Sequence, residues 1–257
     1  MTLEEAVLAI LDALPAELWF LVLLRVGGVV ALLPMLGSRV VPTTLRLAFA
    51  LALTLVLAPL AGEFSTSRNA PLGDYVDACA AELLTGLLIG FLCRCLFWSI
   101  QLAGTMASQS ISLAQLMGAQ IDQPQASIGQ VLYLGALALA VVLNFHLVIV
   151  DAMIDSFDLV PLGTGVPAAL AAELSAESAA RAFEIGFALS CPFLVVAVLY
   201  NLCLGVVNKA MPQLMVAFIG APAISWLGIA LLFVSAPILL KAWSEHLLAF
   251  SLREGLR

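Results

Sequence analysis

The chain has 257 residues, of which 63% are hydrophobic and only 11% charged, and a net charge of −7. A soluble domain carries roughly 25% charged residues, so this chain lacks the polar groups to cover a water-facing surface, and its mean hydropathy of +1.12 places it in a membrane or a membrane assembly. The acidic balance excludes nucleic acid as a partner, and the absence of period-2 alternation excludes an outer-membrane barrel, leaving an all-α chain of five to seven hydrophobic segments.

The N-terminus carries Glu4, Glu5, Asp12 and Glu17 before the first basic residue, Arg25. That is the wrong charge for a cleaved signal peptide, so the first segment is expected to be retained. Six apolar blocks follow: Leu18 to Leu36, Leu47 to Leu60, Leu83 to about Met117, Ile128 to Val150, Ile185 to Val207, and Leu214 to Leu240. Against the about 20 residues of a membrane span, the second is short, and the third and sixth need a bend. Polar connectors are expected at 37–46, 61–82 and 151–184. Pro34, Pro42, Pro59, Pro71, Pro161 and Pro167 fall at block ends, whereas Pro192, Pro222 and Pro237 fall inside blocks, where they kink or split a helix.

The Lys/Arg distribution fits six simple spans poorly. It fits better with the N-terminus outside and the last block re-entrant or strongly bent at Gly220-Ala221-Pro222.

Arg25 and Arg94 stand inside apolar blocks, where a charge needs a partner. A pore-lining role and a structural ion pair, with Glu82 or a neighbouring subunit, are both open. His146 with Asp151, Asp155 and Asp158 raises a proton relay, and the three acids share a helix face. They stand at a block's end, however, where solvated charge is expected, and no GxSxG motif accompanies them. Asn144, Asn201 and Gln101 read as interhelical hydrogen-bonding groups. Cys79, Cys93, Cys95, Cys191 and Cys203 form no metal-ligand spacing and read as small core residues. Gly86 and Gly90 form a GxxxG, which permits close helix contact.

The stretch TMASQSISLAQLMGAQIDQPQAS, residues 105–127, is neutral up to Ile121 yet rich in Ser and Gln. Lipid penalises such groups unless protein or water satisfies them. Composition leaves two readings open: a solvent-facing loop, or a segment that lines or plugs a water-accessible path, with Gly104, Gly118 and Gly129 as joints and Met106 and Met117 as gap fillers.

Four stretches carry a resemblance. RVGGVVALLPMLGSRVVPTTLRLAFALALTLVLAPL (25–60) contains P-x-x-G-x-R-x-V-P, and GLLIGFLCRCLFWSIQLAGTMASQ (86–109) and SFDLVPLG (156–163) follow. The most specific is NLCLGVVNKAMPQLMVAFIGAPA (201–223), with Asn201, Gly205, Lys209, Pro212, Gln213, Gly220 and Pro222 in the pattern N-x-x-x-G-x-x-x-[RK]-x-x-P-Q-[LM]. In order and spacing these resemble the FliR/SctT family of type III secretion export-gate subunits.

The resemblance implies a membrane-embedded fold of kinked helical hairpins, a FliP-like part over about 1–184 followed by a FliQ-like hairpin and tail over 185–257. It implies a bacterial inner-membrane subunit of the flagellar basal body that binds FliP-, FliQ- and FlhB-like subunits. Together they would pass unfolded flagellar proteins through a channel needed for flagellum assembly, with no cofactor and no catalysis. A pore plug is implied at 106–122, on Met106, Gln109, Leu113, Gln115, Leu116, Met117, Gly118, Gln120 and Ile121. A cytoplasmic turn that meets partners is implied at Asn208, Lys209, Pro212 and Gln213, which would make Pro222 a kink and not a second turn. Two departures stand out: residues 105–127 hold none of the aromatics common in that loop, and Lys209 stands where Arg is common. A virulence injectisome subunit of the SctT type is the alternative within the family. A monomeric secondary transporter using His146 and Asp151 is the alternative outside it, but the chain shows no internal repeat to support one.

Overall fold

The computed structural model describes residues 16–34, 36, 41–61, 72–112, 127–210 and 216–250. Among these residues every regular element is a helix. They are α1 (Ala16–Leu32), α2 (Thr43–Leu57, closed by a 3-10 turn at Ala58–Leu60), α3 (Leu72–Ser112), α4 (Ser127–Val142), α5 (Phe145–Leu159), α6 (Ala168–Ala210) and α7 (Val216–Leu248). By length and composition four helices can cross a membrane, or five if α4 and α5 form one broken span. The protein is therefore an all-α membrane protein.

Helix ends follow local chemistry. Pro42 precedes α2 and fixes the chain where no amide donor is needed, and Pro59 sits in the 3-10 turn that ends it. The apolar block 128–150 is interrupted at Leu143–Asn144, where Asn144 takes a φ of 56°, a conformation Asn tolerates better than most residues. Two expectations change. The connector 151–184 is largely helical, since α5 runs to Leu159 and α6 starts at Ala168. And α7 continues through Gly220-Ala221-Pro222, so the last block has no break there; α6 likewise continues through Pro192 and α7 through Pro237. Within apolar surroundings, neighbouring groups and small local adjustments re-satisfy the backbone a proline frees.

The chain divides into two compact units. One comprises Met1–Arg94, His146–Ser178 and Phe250–Arg257; the other Cys95–Phe145 and Ala179–Ala249. These are divisions of compactness and follow other lines than a boundary at 184/185.

In the first unit α1 packs on α2, and its apolar face of Leu18, Leu21, Val22, Val26 and Val29 is fully buried. α1 also crosses α3 backbone to backbone. A Cβ at Gly86 would collide with the carbonyl of Arg25, and one at Gly28 would meet Leu87 N at 2.8 Å and Leu83 O at 2.9 Å. The GxxxG of α3 is thus a contact surface within the chain. In the second unit α4 packs on α7. Trp243 closes the core, edge-on to Phe97 with centroids 5.2 Å apart, and its indole Nε1 donates to Leu96 O at 2.9 Å. Phe145 completes the cluster, 5.8 Å from Phe97. Of the cysteines Cys93 and Cys95 are buried, as expected of core residues, but Cys203 is exposed.

Candidate functional site

The central polar stretch begins inside a helix. Residues 105–112 are the last two turns of α3, so Met106 and Gln109 are helical and not loop residues. Their hydroxyl neighbours are satisfied locally: Thr105 Oγ1 donates to Leu102 O at 2.9 Å, Ser108 Oγ to Gly104 O at 2.8 Å, and Ser110 Oγ to Ala107 O at 2.8 Å. Such back-bonding lets Ser and Thr sit in an apolar environment without water. It removes half of the reason for a water-lined path here; the exposed Gln109 amide keeps the other half.

Three other helices, α4, α6 and α7, pack against this end of α3. Gly104 of α3 meets Gly129 of α4 so closely that a Cβ on the first would collide with the second. Gly186 of α6 lies against α3, where a Cβ would stand 2.8 Å from Ser99 O, and Gly228 of α7 leaves only 2.5 Å for Ile111 Cδ1. Ser190 Oγ lies 2.8 Å from Phe187 O and 3.6 Å from Met106 Sδ. Met106 is therefore half-buried and fixed against α6, while Gln109 faces outward. The glycine crossing fixes the start of α4 against α3 about two turns before α3 ends at Ser112. Leu113, Gln115, Leu116, Met117, Gly118, Gln120 and Ile121 lie outside the described residues.

Arg25 and Glu82 form the other charged centre. Arg25 Nε donates to Glu82 Oε2 at 2.6 Å and its Nη2 to Oε1 at 2.9 Å, a two-point fork, with both side chains wholly buried. The remaining guanidinium hydrogens reach Ser156 O at 3.0 Å, Ser156 Oγ at 3.3 Å and Val160 O at 2.9 Å. Phe157 lies under the guanidinium carbon at 4.5 Å. Glu82 Oε1 also accepts from Gly163 N at 2.8 Å. The pair thus ties α1, α3, the end of α5 and the turn after it. Sequence had offered Glu82 as one partner among others; the roles of Ser156, Val160 and Gly163 were not foreseen. The available signal was that Glu82 stands next to the apolar run that Leu83 opens on α3.

The other sequence candidates are dispersed. Arg94 is half-buried on α3. Asn208 and Lys209 are exposed in the last turn of α6, with Pro212 and Gln213 outside the described residues. His146, Asp151 and Asp158 are exposed and Asp155 is half-buried; among the described residues no three His, Cys, Asp or Glu side chains form a metal site.

The chain matches the family described as bacterial export proteins, family 1, over residues 16–250. It is 30% identical over 228 residues to the flagellar biosynthetic protein FliR of Caulobacter vibrioides, covering 88% of this chain and 91% of that one. It is 28% identical over 236 residues to FliR of Escherichia coli, covering 90% and 88%. It is 29% identical over 223 residues to FliR of Bacillus subtilis, covering 83% of each.

Proposed function

Because this chain belongs to the family of bacterial export proteins, family 1, we propose that it is a membrane-embedded subunit of the flagellar type III export gate, serving flagellum assembly. The single observation that carries this is the breadth of the likeness: the family match spans 16–250, and the relatives that cover most of the chain bear the flagellar name. Those names favour the flagellar system over a virulence injectisome. The dispersal of His146 and Asp151 on an exposed surface gives a solute transporter nothing to work with. The role is structural, with no catalytic step assigned to its residues.

The finer assignments rest on the resemblance together with the geometry. Residues 106–122 plug the channel through which unfolded flagellar proteins pass, and Met106 and Gln109 form its helical base. The crossing at Gly104 and Gly129 supports this reading, since it anchors the start of α4, which directly follows 113–126, against α3. Residues 1–184 act as the FliP-like part and 185–257 as the FliQ-like hairpin and tail. Asn208, Lys209, Pro212 and Gln213 form the turn that meets FlhB- or FliQ-like subunits on the cytoplasmic side. The setting is the inner membrane at the flagellar basal body. Co-purification of the tagged chain from its own membranes tests the assembly: FliP- and FliQ-like subunits are expected to come with it in fixed ratio. Recovery of the chain alone, with normal flagella in a strain lacking it, overturns the proposal.

A further inference from the structure

A groove of about 440 Å³ runs along the surface between α4 and α7 in the Cys95–Phe145 and Ala179–Ala249 unit. Its walls are Gly135, Ala138 and Val142 from α4, and Pro237, Leu240 and Lys241 from α7. Each set repeats at three- and four-residue steps, the spacing of one helix face. Gly135 sets the depth: a Cβ there would meet Leu240 Cδ1 at 3.0 Å, so a larger side chain would fill the groove from its floor.

Lys241 gives the groove a direction. From Val216 through Leu240 α7 carries no formal charge, and Lys241 is the first. From Val216 to Lys241 the helix rises about 38 Å at 1.5 Å per residue, enough to cross a hydrocarbon core of about 30 Å. The groove therefore reaches the point where the uncharged run of α7 ends, at an exposed ammonium. Among the described residues Lys241 forms no ion pair. Ser244 also lines this end, but its hydroxyl donates to Lys241 O at 2.7 Å, and Glu245, one turn on, does not line the groove. The Lys241 side chain is thus the group left to meet an anion.

We infer that this groove binds one anionic phospholipid, an acyl chain lying along the α4 and α7 stripes and the phosphate against Lys241. Apolar walls alone would accept any lipid; the ammonium at the end of the uncharged run selects an anionic one. This goes beyond the export role and does not depend on it.

Native mass spectrometry of the purified full chain, offered equal amounts of phosphatidylglycerol and phosphatidylcholine with identical acyl chains, tests the inference. The unaltered chain is expected to retain phosphatidylglycerol about fivefold more than phosphatidylcholine, the weight of one lysine at a membrane surface. Lys241→Gln should erase the preference while both lipids still bind, and Lys241→Arg should keep it. Gly135→Leu should reduce retention of both. Lys241 is exposed, so its variants fold and decide the matter even if Gly135→Leu does not accumulate. Equal retention by the unaltered chain, or a preference that survives Lys241→Gln, overturns the inference. So does efficient cross-linking of Ala138→Cys to another protein in the assembled complex, which would place a protein in the groove.

Discussion

Arg25 and Glu82, 57 residues apart in sequence, meet through two hydrogen bonds of 2.6 and 2.9 Å at a point where neither side chain has any solvent exposure. Taking two charges out of water costs several kcal/mol per ion, so the arrangement persists only because the surrounding groups complete it. Ser156 O, Val160 O and Gly163 N supply that completion, and each lies near the end of α5 or in the turn after it. The pair therefore specifies where that turn sits as well as joining α1 to α3.

Removing one partner should be far worse than removing both. Glu82→Ala leaves a buried guanidinium unpaired, at a cost of roughly 3–5 kcal/mol. Arg25→Met combined with Glu82→Met leaves an apolar contact of similar volume, and the double variant should be the more stable of the two. Thermal unfolding of the purified variants measures the order; a double variant less stable than Glu82→Ala would show that the unpaired guanidinium is not the larger cost.

Neighbouring glycines on α1 should respond oppositely. Gly28→Ala drives a Cβ to within 3 Å of backbone atoms of α3, which cannot move aside like a side chain, so a loss of roughly 1–3 kcal/mol is expected. Gly27 has nothing within 4 Å of its Cβ direction, and Gly27→Ala should gain up to about 1 kcal/mol from helix propensity alone. Melting temperatures of the two single variants check this. Equal effects would mean that α1 and α3 do not cross as described.

The proposed plug separates into a base and a tip. Replacing 113–120 with a Gly/Ser linker leaves α3 intact through Ser112 and should preserve assembly while letting small solutes through the gate. Gly104→Leu acts at the base, where it forces α3 and α4 apart, and should lower assembly itself. Solute leakage in cells, measured beside recovery of the assembled complex, distinguishes the two. Unchanged permeability after the linker replacement would remove the plug.

The all-α membrane class was legible because composition reports what a surface faces, and 63% hydrophobic residues leave one answer. Helix extent was less legible. Glu173, Glu177, Arg181 and Glu184 lie on α6, yet their charge read as a connector, because hydropathy reports the environment of a face and not whether the backbone is helical. Pro192, Pro222 and Pro237 were expected to kink or split helices, and none of them splits one. The block 128–150 is interrupted at Asn144, read as a hydrogen-bonding group although its tolerance of positive φ is a known turn signal. At the candidate site the glycines were readable as joints, but that Gly104 faces Gly129 depends on a crossing that no local pattern encodes.

Lys209 tests the partner-facing turn. It is exposed in the last turn of α6, where a cation favours the helix C-terminal dipole by roughly 0.3–1 kcal/mol. Lys209→Glu reverses that small term, so the chain should accumulate at nearly its normal level. Export should nevertheless fall sharply, because the reversed charge alters the surface offered to FlhB- or FliQ-like subunits. Lys209→Arg should export normally, since it keeps the charge and restores the residue common in the family. Flagellin in the culture medium, set against the level of the chain in membranes, separates the two effects. Normal secretion by Lys209→Glu would show that the end of α6 contacts no partner through its charge, and a parallel fall in chain level would assign the defect to folding.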